Sequence, residues 1–286
     1  HYPLRRQRQM CIRDRYPAVH QLLGHYLWRC GKFAQANLAF GRASNLYGVW
    51  MKSNHMEPED CPEWIRSEIY RSVALASSED YDSALAISES LAAISVSSDR
   101  AGTASGRLLL WEAKSLPARI LISRGKPADW QAALKSLPAA EAINALSEVS
   151  TVGALHQGLM LLIEGSLALQ QQDLPRAQQR CDQLGALLEN IDQKQAKITS
   201  LRERRWVEPA RIYLQGQWNV LRGRLALTGP EERRSMAYTH FSRACELRQP
   251  TTFLMPPLQW TSLEVERARY YICLLYTSDA ADEEDS

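Results

Sequence analysis

The stretch from Leu23 to Ala43 constrains the fold of this chain more than any other part of the sequence. Leu23 and Leu27 lie four residues apart, on one face of a predicted helix. Gly24 lies between them and lets another helix approach closely, because it has no side chain. Gly31 predicts the end of this helix, since glycine tolerates the left-handed backbone conformation of a helix stop. The first half of the stretch therefore predicts a helix that packs through a small residue.

The second half of the stretch predicts another helix. Ala36, Phe40 and Ala43 recur at spacings of four and three residues, which places small, large and small side chains on one helical face. A turn of two residues between two such helices requires them to run antiparallel. The sequence therefore predicts a helical hairpin.

The residue pattern of this hairpin resembles the signature of the tetratricopeptide repeat family. The positions that match are Leu23, Gly24, Phe33, Ala36, Phe40 and Ala43. Gly48 lies where the family usually has a proline. The resemblance implies an all-α fold of stacked antiparallel helical hairpins, which is a tetratricopeptide-like α-solenoid.

Fainter copies of the hairpin follow along the chain. The predicted helices are about 60–78 and 81–94, 105–125 and 127–137, a pair joined by a turn at 172–175, 206–227 and 230–247, and a last helix at 258–272. The residues in the repeat-packing positions of these copies are Ala84, Gly165, Ala177, Gly223, Ala237, Phe241 and Ala244. Marker alanines at 36, 84, 133, 177 and 237 lie 48, 49, 44 and 60 residues apart. The family period is shorter, about 34 residues, so we expect longer helices or inserted turns.

Residues 1–15 and 273–286 are predicted to be adapter sequence and not native protein. One DNA sequence can encode the first segment and its reverse complement the second, which resembles a sequencing adapter read on both sides of an insert. The basic run at 5–15 and the acidic run at 279–285 therefore carry no functional interpretation. The repeat domain is expected to span residues 16–272, as a fragment with about five and a half hairpins.

The composition does not support a nucleic-acid or membrane partner, a zinc site or disulfide bonds. Removing the two ends takes away five arginines and six acidic residues and changes the net charge from +2 to +3, which does not indicate a nucleic-acid or membrane-surface partner. The remaining cysteines, Cys30, Cys61, Cys181 and Cys245, are widely separated, which favours buried residues or free thiols over a zinc site or disulfides. No uninterrupted apolar run approaches the length of a membrane span, so we expect no membrane partner.

The resemblance implies a binding surface on the first helix of each pair. In the first hairpin the expected binding residues are Gln21, His25, Trp28 and Arg29, whose spacing makes a contiguous patch. Tryptophan and arginine are also the residues that most often anchor interfaces. In the simpler alternative, Trp28 packs against the next hairpin and Arg29 is solvated. The lysine and asparagine with which some family members bind a terminal carboxylate have no counterpart at Gln21 and His25, so that activity is not expected.

Two further clusters have residue types that could bind a metal or a nucleic acid. The first consists of His55, Glu57, Glu59, Asp60 and Cys61, but the neighbouring prolines favour a loop that caps a helix, and we expect no metal site. The second is the basic run Lys194, Lys197, Arg202, Arg204 and Arg205 beside Trp206. Acidic residues interrupt that run, which favours a solvated helix face over nucleic-acid binding.

The sequence contains no catalytic signature. In the segment 102–106 the serine lies one place too late for a nucleophile elbow, and no phosphate loop, dinucleotide fingerprint or His-Glu-x-x-His motif occurs. We therefore expect a non-catalytic scaffold without a cofactor that binds a protein or peptide in a concave groove. The alternative is the sensor or recruiting region of a larger enzyme or transcription regulator whose other domain lies outside this fragment. The cytoplasm is favoured slightly, and the missing native start leaves localisation open.

Overall fold

The structure is a computed structural model that describes residues 16–94, 104–139, 142, 150–197, 201–248, 265–268 and 270–272. This part of the chain is helical and contains no strand. The helices are α1 (Pro17–Arg29), α2 (Phe33–Ser53), α3 (Pro62–Ser77), α4 (Tyr81–Ala92), α5 (Ala104–Arg124), α6 (Pro127–Ser136), α7 (Ser150–Gln170), α8 (Leu174–Lys197), α9 (Leu201–Leu227) and α10 (Glu231–Arg248). A 3-10 turn, Pro58–Asp60, precedes α3.

Helices that are neighbours in the sequence pack against each other. The chain divides into one compact unit with α1 to α5 and a second with most of α6 and α7 and all of α8 to α10. In the first unit each helix from α1 to α5 contacts the next, and α3 also contacts α5. In the second unit α9 contacts both α8 and α10. The predicted all-α class is thus confirmed, as is the packing of helices in neighbouring pairs, whereas stacking into a solenoid stays a prediction.

Four of the turns between helices contain a residue with a positive φ angle at a nearly constant spacing. These residues are Gly31, Glu79, Gly125 and Gln172, with φ of 71°, 65°, 73° and 58°, and they lie 48, 46 and 47 residues apart. The next helix begins two residues later in each case, at Phe33, Tyr81, Pro127 and Leu174. Between residues 31 and 172 the turns therefore recur about every 47 residues, at more regular intervals than the marker alanines.

A small residue lies seven positions before each of these turn residues. Gly24, Ser72, Ala118 and Gly165 occupy this position, and all four are buried. A Cβ atom added to Gly24 would lie only 2.5 Å from Cε1 of Phe40, so the small residue lets α2 approach α1.

The second helix of each pair buries the residues that the sequence pattern identifies. They recur at spacings of four and three, and each has an exposed fraction of 2% or less: Ala36, Phe40 and Ala43 in α2, Ala84, Ser88 and Leu91 in α4, Ala177, Cys181 and Leu184 in α8, and Ala237, Phe241 and Ala244 in α10. Gly223 lies against Phe241 as Gly24 lies against Phe40, with an added Cβ again 2.5 Å from Cε1. These residues form the interior of the helix pairs.

Two expectations differ from the structure. Leu23, expected at a packing position, is 47% exposed, because the next residue, Gly24, is turned about 100° around the helix and is the one that faces α2. The second difference is at the start of α3, which the sequence predicts to be capped by the loop before it. In the structure the N-cap residue is Cys61, and no side chain caps the helix there. The Asp60 carboxylate instead accepts a hydrogen bond from the backbone N–H of Glu57 (3.3 Å).

Several expected features lie outside the described residues. They are both predicted adapter segments, most of the last helix at 258–272 and the side chains of the basic run from Lys197 to Trp206. Nothing in the structure bears on them.

Among the described helices, one is apolar enough to cross a membrane by length and composition. The segment Val152–Gln170 in α7 meets that criterion, and 56% of its most apolar window is buried in the structure. Two of its glycines pack against α9: a Cβ added to Gly158 would overlap Leu214, and one on Gly165 would lie 2.8 Å from Leu221. The helix also contains Glu164, which pairs with Arg180 of α8 at 2.8 Å. These contacts are those of a core helix, and the absence of a membrane partner stays a prediction.

Candidate functional site

Three of the four expected binding residues lie where α1 meets α3. The Gln21 side-chain amide donates to the Ser67 hydroxyl (3.2 Å) and to the backbone carbonyl of Glu63 (3.4 Å). The Trp28 indole N–H donates to the Ser77 hydroxyl (3.1 Å). These contacts join the first helices of two successive hairpins.

His25 completes this contact through aromatic packing. Its ring meets Tyr70 of α3 edge-on, with centroids 4.6 Å apart, and Phe40 of α2 at 5.2 Å. Burial lowers the pKa of His25, and the nearby positive charge of Arg29 lowers it further. The imidazole is therefore a partly buried group whose neutral form is favoured.

Trp28 and Arg29 lie at the end of α1 with different degrees of exposure. Trp28 is half-buried, with its ring 6.2 Å from that of Phe33, whereas Arg29 is exposed. The predicted patch is thus contiguous along α1, but its three other members also hold α1 against α3. The structure includes features of both sequence interpretations, because Trp28 contacts the next hairpin and still presents part of its ring to solvent.

A cluster that the sequence analysis did not identify continues from α3 to α5. Tyr70 is 6% exposed, and its pKa is raised to about 12, first by burial and then by the nearby Glu112 carboxylate. Burial raises the pKa of Glu112, whereas the positive charges of Arg119 and Arg66 oppose that rise. Because Arg66 and Glu112 lie 46 residues apart, they occupy equivalent positions in successive hairpins. The repeat period was thus the sequence signal that could have found this pair.

Arg119 is a further charged residue on α5, seven positions after Glu112. Its guanidinium donates to the backbone carbonyl of Glu112 (2.6 Å) and lies over the Trp111 ring at 5.5 Å. Lys114, on another face of the helix, donates to the carbonyls of Ala92 and Ile94 at 3.3 and 2.6 Å. Arg119 and Lys114 of α5 therefore bind backbone carbonyls within the first unit.

The second unit has a buried charged site of its own. The Arg224 guanidinium forms two hydrogen bonds with the Glu266 carboxylate, at 3.0 and 2.6 Å, and a third with the Ser166 hydroxyl at 2.8 Å. Its centre lies 5.0 Å from the Trp130 ring. The side chains of Arg224 and Glu266 are 14% and 5% exposed, so this arrangement joins α6, α7, α9 and the segment 265–268 in the interior. Its groups bind one another, which is typical of a structural site.

The two alternative clusters of the sequence have ordinary structural roles or lie outside the described residues. Near α3, Glu57 and Asp60 cap the 3-10 turn, and Cys61 is buried. Within the described ranges, no group of three or more potential metal ligands comes together. In the basic run, only Lys194 has a described side chain, and it is exposed.

The geometry defines this chain as an all-α protein of paired helices with a polar and aromatic contact along α1, α3 and α5. Comparison with family models, curated proteins and solved structures gives no match. The tetratricopeptide resemblance therefore stays a prediction that depends on the residues quoted above.

Proposed function

We propose that this chain is a non-catalytic helical-repeat scaffold that binds a protein or peptide along the first helices of its first unit. The proposal depends on one observation: beside the packed contact of His25 with Tyr70, side chains that reach the surface remain on the first helices α1 and α3. The half-buried Trp28 and the exposed Arg29 at the end of α1, with the partly exposed Arg66 on α3, form this row. Helical repeats commonly use such surfaces of adjacent first helices for binding.

The chemistry of the row indicates the kind of ligand. The half-buried Trp28 ring offers an apolar platform, and the exposed Arg29 guanidinium beside it can pair with a carboxylate. Arg66 adds a second partly exposed cation on α3. We therefore expect a peptide segment that combines an apolar side chain with an acidic one.

Pulldown with the whole chain and with two tryptophan variants tests this proposal. Trp28→Ala should reduce recovery of the specific partner, and truncation of an anchoring tryptophan typically costs about 2 kcal/mol or more of binding free energy. Trp50→Ala is the matched control, because Trp50 is 51% exposed but lies on the second helix α2. Equal recovery of every partner by both variants would reject this row as the binding surface.

A further variant separates binding from stability. The Trp28 indole bonds to Ser77, so Trp28→Ala also removes a contact inside the protein. Arg29→Glu reverses an exposed charge and should weaken binding of the acidic segment, and a melting curve of the same variant measures any change in stability separately. Titration calorimetry with a recovered peptide measures the loss of affinity, and unchanged affinity in Arg29→Glu would contradict the acidic component of the ligand.

A further inference from the structure

The outer face of α1 is apolar and exposed. Tyr16, Leu22, Leu23 and Tyr26 have exposed fractions of 60%, 56%, 47% and 60%. Residues 22, 23 and 26 are neighbours on the helix surface and form a stripe, to which Tyr16 at the N-cap of α1 adds a further exposed ring. Such a cluster of large apolar side chains on one helix is more than the scattered exposure that is normal for a surface.

The equivalent residues of α3 pack against the preceding hairpin. Advancing by the 48 residues between the first two turns gives Trp64, Tyr70, Arg71 and Ala74. Tyr70 contacts the rings of His25 and Phe40 (centroid distances 4.6 and 5.4 Å), and the Arg71 guanidinium donates to the Asn37 side chain at 3.3 Å. Ala74 has no exposed surface. This face of α3 is therefore the one that contacts α1 and α2.

The same positions are buried again in α5. Advancing by a further 46 residues gives Leu110, Leu116, Pro117 and Ile120. Leu110, Leu116 and Ile120 have exposed fractions of 5%, 0% and 0%. Helix α5 contacts α3 and α4, which form the hairpin before it. In the first unit these positions thus include contacts with the preceding hairpin in α3 and are buried in α5, which packs on its own preceding hairpin.

We infer that the stripe Leu22, Leu23 and Tyr26, together with Tyr16, is the packing surface for one more helical hairpin, encoded upstream of Tyr16 in the native protein. A hairpin in that place would contact α1 as α1 and α2 contact α3. The stripe is more apolar than its α3 counterpart at position 23, where Leu23 corresponds to Arg71, and larger at position 26, where Tyr26 corresponds to Ala74, which suits it to burial against another helix pair.

This surface is distinct from the proposed binding row. Trp28 and His25 face α3, which follows in the chain, whereas the stripe corresponds to the face that contacts a preceding hairpin. Labelling at position 26 and recovery in the Trp28→Ala pulldown therefore test the two proposals separately.

Cysteine labelling tests the inference in the present chain and in the same chain extended upstream along the source gene. Tyr26→Cys introduces a thiol in the stripe, where the α3 counterpart Ala74 is fully buried. Leu38→Cys is the matched control, because Leu38 is 72% exposed and its counterpart Ala86 is exposed as well. Mass spectrometry of the labelled peptides gives the two rates separately.

The expected result is rapid labelling of both cysteines in the present chain. In the extended chain we expect labelling at position 26 to slow by about tenfold or more relative to position 38, as burial in a stable interface requires. Equal rates in the extended chain would overturn the inference. Slow labelling at position 26 in the present chain, accompanied by a dimer in sedimentation, would also overturn it, because a second copy would then cover the stripe.

Discussion

A Cβ atom added to Gly24 would lie 2.5 Å from Cε1 of Phe40, so the phenyl ring occupies the space that any larger residue at position 24 needs. The same distance separates a Cβ on Gly223 from Phe241 in the other unit. Two hairpins far apart in the sequence thus pack a glycine against a phenylalanine in the same way. The close approach of their helices depends on this pair.

We predict that Gly24→Ala and Gly223→Ala each destabilise the protein by about 1–3 kcal/mol, since the ring must move to admit a methyl group. Urea denaturation measures the loss. Gly153→Ala is the control: a Cβ there meets nothing within 4 Å, so better helix propensity should stabilise the protein by about 0.5–1 kcal/mol. A gain of stability in Gly24→Ala would show that the ring is not held in this place.

The buried pair of Arg224 and Glu266 gives a second prediction. Glu266→Gln removes the charge that neutralises the Arg224 guanidinium, and an uncompensated buried charge costs about 3–5 kcal/mol. The control is Arg243→Ala, because Arg243 forms a 2.8 Å pair with Glu246 at the surface, where both side chains are more than half exposed. Such an exposed pair contributes about 1 kcal/mol or less. Equal losses in chemical denaturation would contradict the assignment of Arg224 as an interior anchor.

The third prediction concerns the pH dependence of stability. Burial and the charge of Arg29 lower the pKa of His25 in the folded chain below 6.5, the value expected in the unfolded chain. Between the folded pKa and 6.5, the unfolded chain therefore binds more protons than the folded chain. The contribution of His25 is therefore fully present above pH 6.5 and is lost as the pH falls through its folded pKa. His25→Gln should flatten the fall in unfolding free energy between pH 7.5 and 5, measured by urea titration at each pH. Burial also lowers the pKa values of His156 and His240, which should leave a smaller slope in the variant. An unchanged slope would show that His25 has no part in it.

The turns give a fourth prediction, with opposite signs at two equivalent positions. Gln172 adopts a φ of 58°, which disfavours a residue with a side chain, so Gln172→Gly should stabilise the protein by about 0.5–1 kcal/mol. Gly31 adopts a φ of 71° and has no neighbour that would contact an added Cβ, so Gly31→Ala should cost about 1–2 kcal/mol through backbone strain alone. Thermal unfolding of the two variants measures both effects. Two shifts of the same sign would contradict a common turn geometry.

The sequence predicted the helix pairs because their packing depends on local spacing. Ala36, Phe40 and Ala43 lie on one helical face whatever surrounds them. Gly31 ends a helix because a glycine backbone adopts the left-handed conformation without strain. The turns at Glu79 and Gln172 were harder to recognise, since their side chains do not reveal the positive φ that the tertiary structure imposes. The period near 47 residues becomes evident only when these two turns are aligned with the two glycines.

The site was predictable only in part, for a related reason. Helical spacing places Gln21, His25 and Trp28 together, but it does not tell which of their contacts are internal. Glu112 interacts with Tyr70 across 42 residues, and Arg224 bonds to Glu266 across the same separation. Contacts over such distances depend on how whole hairpins pack, and a single sequence gives no direct sign of that.

The four turn residues from Gly31 to Gln172 are nearly equally spaced, so removal of one period between two of them keeps the spacing of the remaining helices. Deletion of residues 32–79 would join Gly31 to Asp80 and give α1 the partner that α3 has now. Gly24 would then stand twelve residues before the buried alanine of its new partner helix, the same interval that separates Ser72 from Ala84. Such a chain would be one period shorter and would keep the spacing between its helices, but Ser88 would stand in the place of Phe40 opposite Gly24, so this hairpin would lose the packing of a ring on the glycine.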